Sequence, residues 1–166
     1  MKEKKFFPLF MDLEDKKIVV FGGGKVASRR IHSLQGFGGR LLVIAPQIDD
    51  DLLALAGVDF LVRGYQKNDC QGAFLVLAAT DNPSVNEAIA QECREKGILF
   101  NTAHQKELCN FYFPALMEED GFLLALTSQG KDHGLVKRLA GDLRRFLYQW
   151  LEEEKFEDNQ KLKDQT

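Results

Sequence analysis

The most constraining feature of this chain lies near its start. Ile18-Val-Val-Phe21 is a short continuous apolar run, as a buried strand would be, and three glycines follow at once. Ala27, Ile31 and Leu34 then fall at i, i+4 and i+7, the spacing of one helix face. Strand, glycine turn and helix together spell Gly22-x-Gly24-x-x-Ala27, a dinucleotide fingerprint in the context that it requires. Its chemistry belongs to the backbone. Gly22 permits the tight turn, Gly24 lets the main chain approach a diphosphate, and Ala27 lets the helix lie close to the sheet. The amides that open the helix, at Lys25 and Val26, then face phosphate oxygens.

One part of the pattern is missing. The second strand, Leu41 to Ala45, runs into Pro46-Gln47, with no Asp or Glu to take the ribose hydroxyls. Arg29, Arg30 and Arg40 would instead suit a 2′-phosphate, so the sequence leaves NAD against NADP open.

A chain of 166 residues holds one sizeable domain with a small appendage. Its 45% hydrophobic and 28% charged content fits a soluble globular protein. A net charge of −3 argues against nucleic acid or an anionic membrane as the main partner. No apolar run approaches a membrane span, and Met-Lys-Glu-Lys-Lys is not the start of a secretion signal. Cys70, Cys93 and Cys109 lack metal-ligand spacing, which together with their odd number fits a reducing cytoplasm.

Phe6 to Met11 is apolar but interrupted by Pro8, so it reads as an extended lead-in. Asp49-Asp-Asp51 caps a short helix through Leu52, Leu53 and Leu55, and Phe60-Leu-Val62 is a third strand. Tyr65 reads as a half-buried packing residue. Ala73 to Ala79 is the second long apolar run, expected across the topological switch point from the first, and delivers Thr80-Asp81 to the ligand edge. Asn82-Pro83 starts a helix with Val85, Ile89 and Cys93 on one face. A fifth strand, Ile98 to Phe100, brings Asn101 to the same edge. The alternation predicts an α/β fold, a Rossmann-like doubly wound parallel sheet.

After residue 110 the pattern changes to a hairpin, Phe111–Met117 against Phe122–Thr127, then a polar loop from Ser128 to Gly134 and a long helix. That helix carries Leu135, Leu139, Leu143, Phe146 and Trp150 near one face, with Val136, Ala140 and Leu147 beside them. So wide an apolar face predicts a small C-terminal hairpin-plus-helix dimerisation domain. The expected division is 1–112 for the nucleotide domain, 113–152 for the dimerisation and substrate domain, and 153–166 for a polar tail.

Several segments occur together in a specific order. They are Phe7-Pro8-Leu9-Phe10, the glycine stretch, Val43-Ile-Ala-Pro46, Ala73 to Asp81, Asn101, Leu108-Cys-Asn-Phe111, Phe113-Pro114 and the Ser128-x-Gly130-Lys131 loop. This order resembles the precorrin-2 dehydrogenase module of siroheme synthases, from about residue 6 to 147. The resemblance implies NAD-dependent oxidation of precorrin-2 to sirohydrochlorin, in some members joined to metal insertion. It also implies a homodimer and a tetrapyrrole substrate bound between cofactor and dimerisation domains. Many members continue in a further helical segment, for which the 166 residues leave little length.

Carried over with the motif reading, the resemblance gives cofactor contacts at Gly22, Gly24, Lys25, Val26, Pro46, Thr80, Asp81 and Asn101. It gives substrate contacts at Ser128, Gly130, Lys131 and His133, with Lys131 and Arg138 as partners for the carboxylates of the macrocycle. The family has an aspartate, its main catalytic group, three residues after the asparagine that matches Asn101; here that position is His104, followed by Gln105. The Ser-Gly-Gly-Lys-Ser-Pro loop has become Ser128-Gln-Gly-Lys-Asp-His133. His104 and Asp132 are therefore the catalytic candidates, a histidine being able to take a proton near neutral pH. With His133 they are also ligand types suited to a divalent metal. Two alternatives stand beside the dehydrogenase: a relative that binds a tetrapyrrole or nucleotide without reacting it, and a chelatase that no longer oxidises.

Overall fold

The structure, a computed structural model, describes residues 6–103, 105–129 and 131–163, excepting the side chains of 156–163. Two units divide the chain, Met1–Tyr112 and Phe113–Thr166.

In the first unit, β1 (Lys17–Phe21), β2 (Arg40–Ala45), β3 (Val58–Val62), β4 (Leu75–Ala78) and β5 (Leu99–Thr102) form one sheet in the order β3-β2-β1-β4-β5. Every pairing is parallel. The order reverses between β1 and β4, so the apolar runs Ile18–Phe21 and Ala73–Ala79 supply the two strands at the switch point. Ile18 to Phe21 are fully buried, as a strand covered on both faces must be.

Side chains alternate between the faces of this sheet. On one face Val19, Phe21, Ile44, Val76, Ala78 and Phe100 share a core with Ile89, Ala90 and Cys93 of α3 (Pro83–Glu95). On the other, Ile18, Val20, Val43, Leu75 and Leu77 lie on the side covered by α1 (Lys25–Leu34). The stripe Ala27, Ile31 and Leu34 is the buried stripe of α1, and burying a side chain such as Ile31 contributes about 1.5–3 kcal/mol.

Local signals account for the helix ends. The Asn82 side chain accepts from the amides of Ser84 and Val85, and Pro83 occupies the first helical turn of α3. The short α2 (Asp50–Leu53) forms after Asp49, but the Asp49 side chain makes no capping hydrogen bond. The expected cap therefore reduces to acids placed at the positive end of a single turn. Tyr65 packs edge-on against Phe21, ring centroids 5.4 Å apart, and its hydroxyl donates to Glu92 Oε2 at 2.7 Å.

In the second unit, β6 (Ala115–Glu119) and β7 (Phe122–Leu126) pair antiparallel around Asp120-Gly121. Both turn residues have positive φ, 48° and 81°, as a two-residue hairpin loop demands. α4 (His133–Lys163) lies against β6. Its apolar residues divide differently from the sequence expectation. Val136, Ala140, Leu143 and Leu147 are half-buried and Leu151 is buried, whereas Leu135, Leu139, Phe146 and Trp150 are exposed. Of the residues expected on the main apolar face only Leu143 packs, joined by Val136, Ala140 and Leu147 from beside it, because the 4-3-4-4 spacing from Val136 to Leu151 keeps to one side of the helix.

Candidate dinucleotide site and the α4 loop

Parallel strands deliver their following loops to one edge of a sheet. Here the register sets Phe21 beside Ile44 and Ala78, and Ala78 beside Thr102. The Gly22–Gly24 turn, Pro46, Thr80-Asp81 and Asn101 therefore gather at the carboxyl edge, around the switch point.

Each glycine of the turn has its own physical reason. Gly22 has φ +113°, and a Cβ there would collide with the Ala79 carbonyl. A Cβ on Gly23 would meet the Gln47 carbonyl, and 2.7 Å away the Ile48 α-carbon. Gly24 differs from both: a Cβ there has nothing within 4 Å. The first two glycines are required by protein packing, while the third leaves open space immediately before α1. No side chain caps α1, and no acid stands in its first turn. Its leading amides and positive dipole end are arranged to accept an anion. Lys25 and Val26 are exposed at this helix start. These are the features that a diphosphate needs, so the residues fit a dinucleotide.

Beside the turn, the Asp49 amide donates to the Gly23 carbonyl at 2.9 Å. The segment after β2 thereby closes on the glycines and forms an open hollow of about 520 Å³ lined by Gln47, Ile48, Asp49, Asp50 and Asp51. Three acids, Asp49, Asp50 and Asp51, thus stand a few residues after the strand end. The arginines expected to greet a 2′-phosphate are elsewhere. Arg40 opens β2 at the opposite edge of the sheet and its Nε donates to the Asp15 carbonyl at 3.0 Å. Arg30 donates to Asn101 Oδ1. Of the two arginines of α1, Arg29 is the exposed one.

Thr80 and Asn101 are held by the protein. The Thr80 hydroxyl donates to Asn86 Oδ1 at 2.7 Å, and Asn86 Nδ2 returns a bond to the Thr80 carbonyl at 2.9 Å. Asn86 is buried on α3 and was not among the residues that the sequence singled out. Asn101 is 4% exposed, and its Nδ2 donates to the Phe111 carbonyl at 2.9 Å. Asp81 is exposed at the same edge.

The second set of predicted residues surrounds the start of α4. The Leu135 amide donates to Asp132 Oδ1 at 2.8 Å, which makes Asp132 the cap of that helix. The Asp132 amide donates to Ser128 Oγ at 2.9 Å, and the Lys131 amide to the Ser128 carbonyl at 3.2 Å. Ser128 and Asp132 thus build the loop that displays Lys131 and His133, both exposed. His104 and Gly130 lie outside the described residues. Among those described, no group of three His, Cys, Asp or Glu could hold a metal ion, and no helix is long and apolar enough to cross a membrane.

A parallel sheet with a glycine turn at its switch point and an uncapped helix after it defines a Rossmann-type nucleotide-binding protein. Residues 9–115 match the family described as "Putative NAD(P)-binding", and the chain belongs to it, in the precorrin-2 dehydrogenase and siroheme synthase group. It is 39% identical over 143 residues to the "Probable multifunctional siroheme biosynthesis protein HemA" of Ruminiclostridium josui, covering 84% of this chain and 28% of that protein. It is 40% identical over 135 residues to the siroheme synthase of Ectopseudomonas mendocina (strain ymp), covering 81% of this chain and 29% of that protein. The chain therefore spans under a third of the length of these curated relatives. Among solved structures, "SirC, precorrin-2 dehydrogenase" superposes with a TM-score of 0.70 at 25% identity, over 83% of this chain and 69% of that one.

Proposed function

We propose that this protein binds NAD and oxidises precorrin-2 to sirohydrochlorin. The oxidation removes a hydride and a proton from the substrate; a nicotinamide held beside the Gly22–Gly24 turn would supply the hydride acceptor, and the protein's own groups would take the proton. The observation that carries the nucleotide half is the open face of Gly24 ahead of an uncapped α1. The names of the relatives supply the tetrapyrrole half.

The chain's own residues have the following tasks. The amides of Gly24, Lys25 and Val26 would hold the diphosphate, and Pro46, Thr80 and Asp81, at the same sheet edge, would meet the rest of the dinucleotide. Asp49, Asp50 and Asp51 favour NAD: carboxylates at the ribose end accept hydroxyl donors and repel a dianionic 2′-phosphate. His104 takes the proton, in place of the family's aspartate. Ser128, Gly130, Lys131 and His133 receive the carboxylates of the macrocycle, with Asp132 holding that loop. The working form is a homodimer joined through the exposed stripe of α4.

The test is a turnover assay of the pure protein with precorrin-2. The expected result is matched formation of NADH and sirohydrochlorin, with kcat/KM at least about tenfold higher for NAD than for NADP. No turnover with either cofactor removes the reading.

A further inference from the structure

Arg30 stands one turn beyond Ala27 on α1, beside the buried stripe, and its guanidinium reaches across to the tip of β5. There Nη1 donates to Asn101 Oδ1. Asn101 is paired laterally with Leu77 in the sheet, so it is a polar side chain among aliphatic ones. Its other amide atom donates to the Phe111 carbonyl. A continuous path of hydrogen bonds thus runs from the nucleotide-binding helix, through Arg30 and Asn101, to the segment that leaves β5.

That segment, 105–111, turns back along the outer edge of β5 and is tied there by side chains. The Phe100 amide donates to Asn110 Oδ1 at 2.7 Å, and Asn110 Nδ2 donates to the Ile98 carbonyl at 3.1 Å. The Asn110 amide adds a bond to the Phe100 carbonyl at 3.1 Å. One asparagine thus does for the edge what a sixth strand would do. The Thr102 amide donates to Cys109 Sγ at 3.2 Å, and the thiol donates back to the Thr102 carbonyl at 3.4 Å. These bonds hold the far half of the segment to β5. Asn101 holds its end at Phe111, and Arg30 holds Asn101.

Burial holds the Arg30 pKa below the usual guanidinium range, opposed by the nearby Cys109 thiol. Withdrawing a guanidinium from water costs free energy, which the charge-assisted bond to Asn101 helps to offset. The bond from Arg30 fixes the orientation of the Asn101 amide.

We propose that Arg30 is a positioning residue of the oxidation: through Asn101 it fixes the exit of β5 and segment 105–111 relative to the helix that holds the dinucleotide. This rests on the dehydrogenase reading. Asn101 is then a link in the scaffold and not a cofactor ligand, its amide being engaged at both ends.

The experiment compares Arg30→Gln, Arg30→Lys, Asn101→Ala and the Arg30→Gln/Asn101→Ala double variant. Three quantities are read: NADH affinity by fluorescence titration, kcat and KM separately, and amide hydrogen exchange of 105–111. Arg30→Gln is expected to lower kcat by about 10- to 100-fold while the NADH Kd moves less than about twofold. Exchange of 105–111 rises, Arg30→Lys recovers part of kcat, and the double variant is no worse than Asn101→Ala. If Arg30→Gln fails to fold, Arg30→Lys carries the test, with an intermediate kcat and unchanged Kd. Additive losses, a change in precorrin-2 KM alone, or unchanged exchange at 105–111 would each overturn the proposal. Wild-type protein that binds NADH yet never turns over precorrin-2 overturns the dehydrogenase reading and the positioning role of Arg30 with it. Unaltered exchange in the variants of an active enzyme overturns the role of Arg30 alone.

Discussion

The α-carbon of Gly22 sits so close to the Ala79 carbonyl that no side chain fits between β1 and β4 at the switch point. The approach is fixed from both sides, since the Ala79 amide donates to the Phe21 carbonyl at 2.7 Å and the Gly22 amide to the Ile44 carbonyl at 3.1 Å. The crevice in which a dinucleotide would lie is thus defined by backbone packed on backbone. Gly22→Ala adds a collision to a left-handed φ of +113°. It is expected to lower stability by about 1–3 kcal/mol, read as a lower urea midpoint with unchanged slope.

Gly24→Ala separates binding from folding. Its φ of −97° and ψ of −169° are ordinary extended backbone, and the added methyl meets no protein atom. The melting temperature should stay within a few degrees of wild type. NADH affinity should fall by about tenfold or more, because the methyl occupies the approach of the diphosphate. Isothermal titration checks it; wild-type affinity in Gly24→Ala would move the nucleotide elsewhere.

Glu92 gives the fold a defined acid sensitivity. Its carboxylate, 5% exposed, accepts from Tyr65 Oη at 2.7 Å, Lys96 Nζ at 2.9 Å, and the amides of Asn68 at 3.0 Å and Cys70 at 3.1 Å. Burial alone pushes its pKa up; the bonds from Lys96, Tyr65 and Asn68 outweigh that and hold it below the usual glutamate range. The folded value being depressed, this contribution is complete above the unfolded value of about 4.3 and disappears as pH falls through the folded value. Glu92→Gln should cost about 1–3 kcal/mol at neutral pH. That difference should shrink in urea titrations as pH is taken well below about 4. A difference constant with pH would mean that the charge of Glu92 contributes nothing.

Sequence pattern reached the first unit further than the second, for a physical reason. In a parallel sheet, strands, glycine turn and helix faces are local signals, and Ile18–Phe21, Gly22–Gly24 and Ala27, Ile31, Leu34 each announce themselves within a few residues. Some polar links are long-range. Nothing near Arg30 in the chain names Asn101, 71 residues away, and nothing near Tyr65 names Glu92, 27 residues away. Arg40 shows the converse: a basic residue near the ribose position by sequence opens its strand at the opposite edge. For α4, periodicity gave the apolar residues correctly but not which of two adjacent stripes packs on β6, because both stripes repeat at helical spacing.

The unpacked stripe carries the last prediction. Phe146 is 64% exposed, Leu135 50%, and Leu139 and Trp150 42% each, all on the side of α4 that its own hairpin leaves uncovered. Four large apolar side chains along one helix face exceed what scattered surface residues explain, and in the proposed homodimer this is the surface that the partner covers. Leu139→Glu and Trp150→Glu each place a charge in that contact without touching the inner stripe ending at Leu151. Both variants should keep the wild-type far-ultraviolet circular dichroism and sediment as monomers, dissociation becoming measurable at concentrations where wild type stays dimeric. Burying an unpaired carboxylate is costly enough, several kcal/mol, for one substitution to suffice. Sedimentation of wild type itself as a monomer would remove the dimer; an unaltered dimer in both variants would assign the interface to another surface.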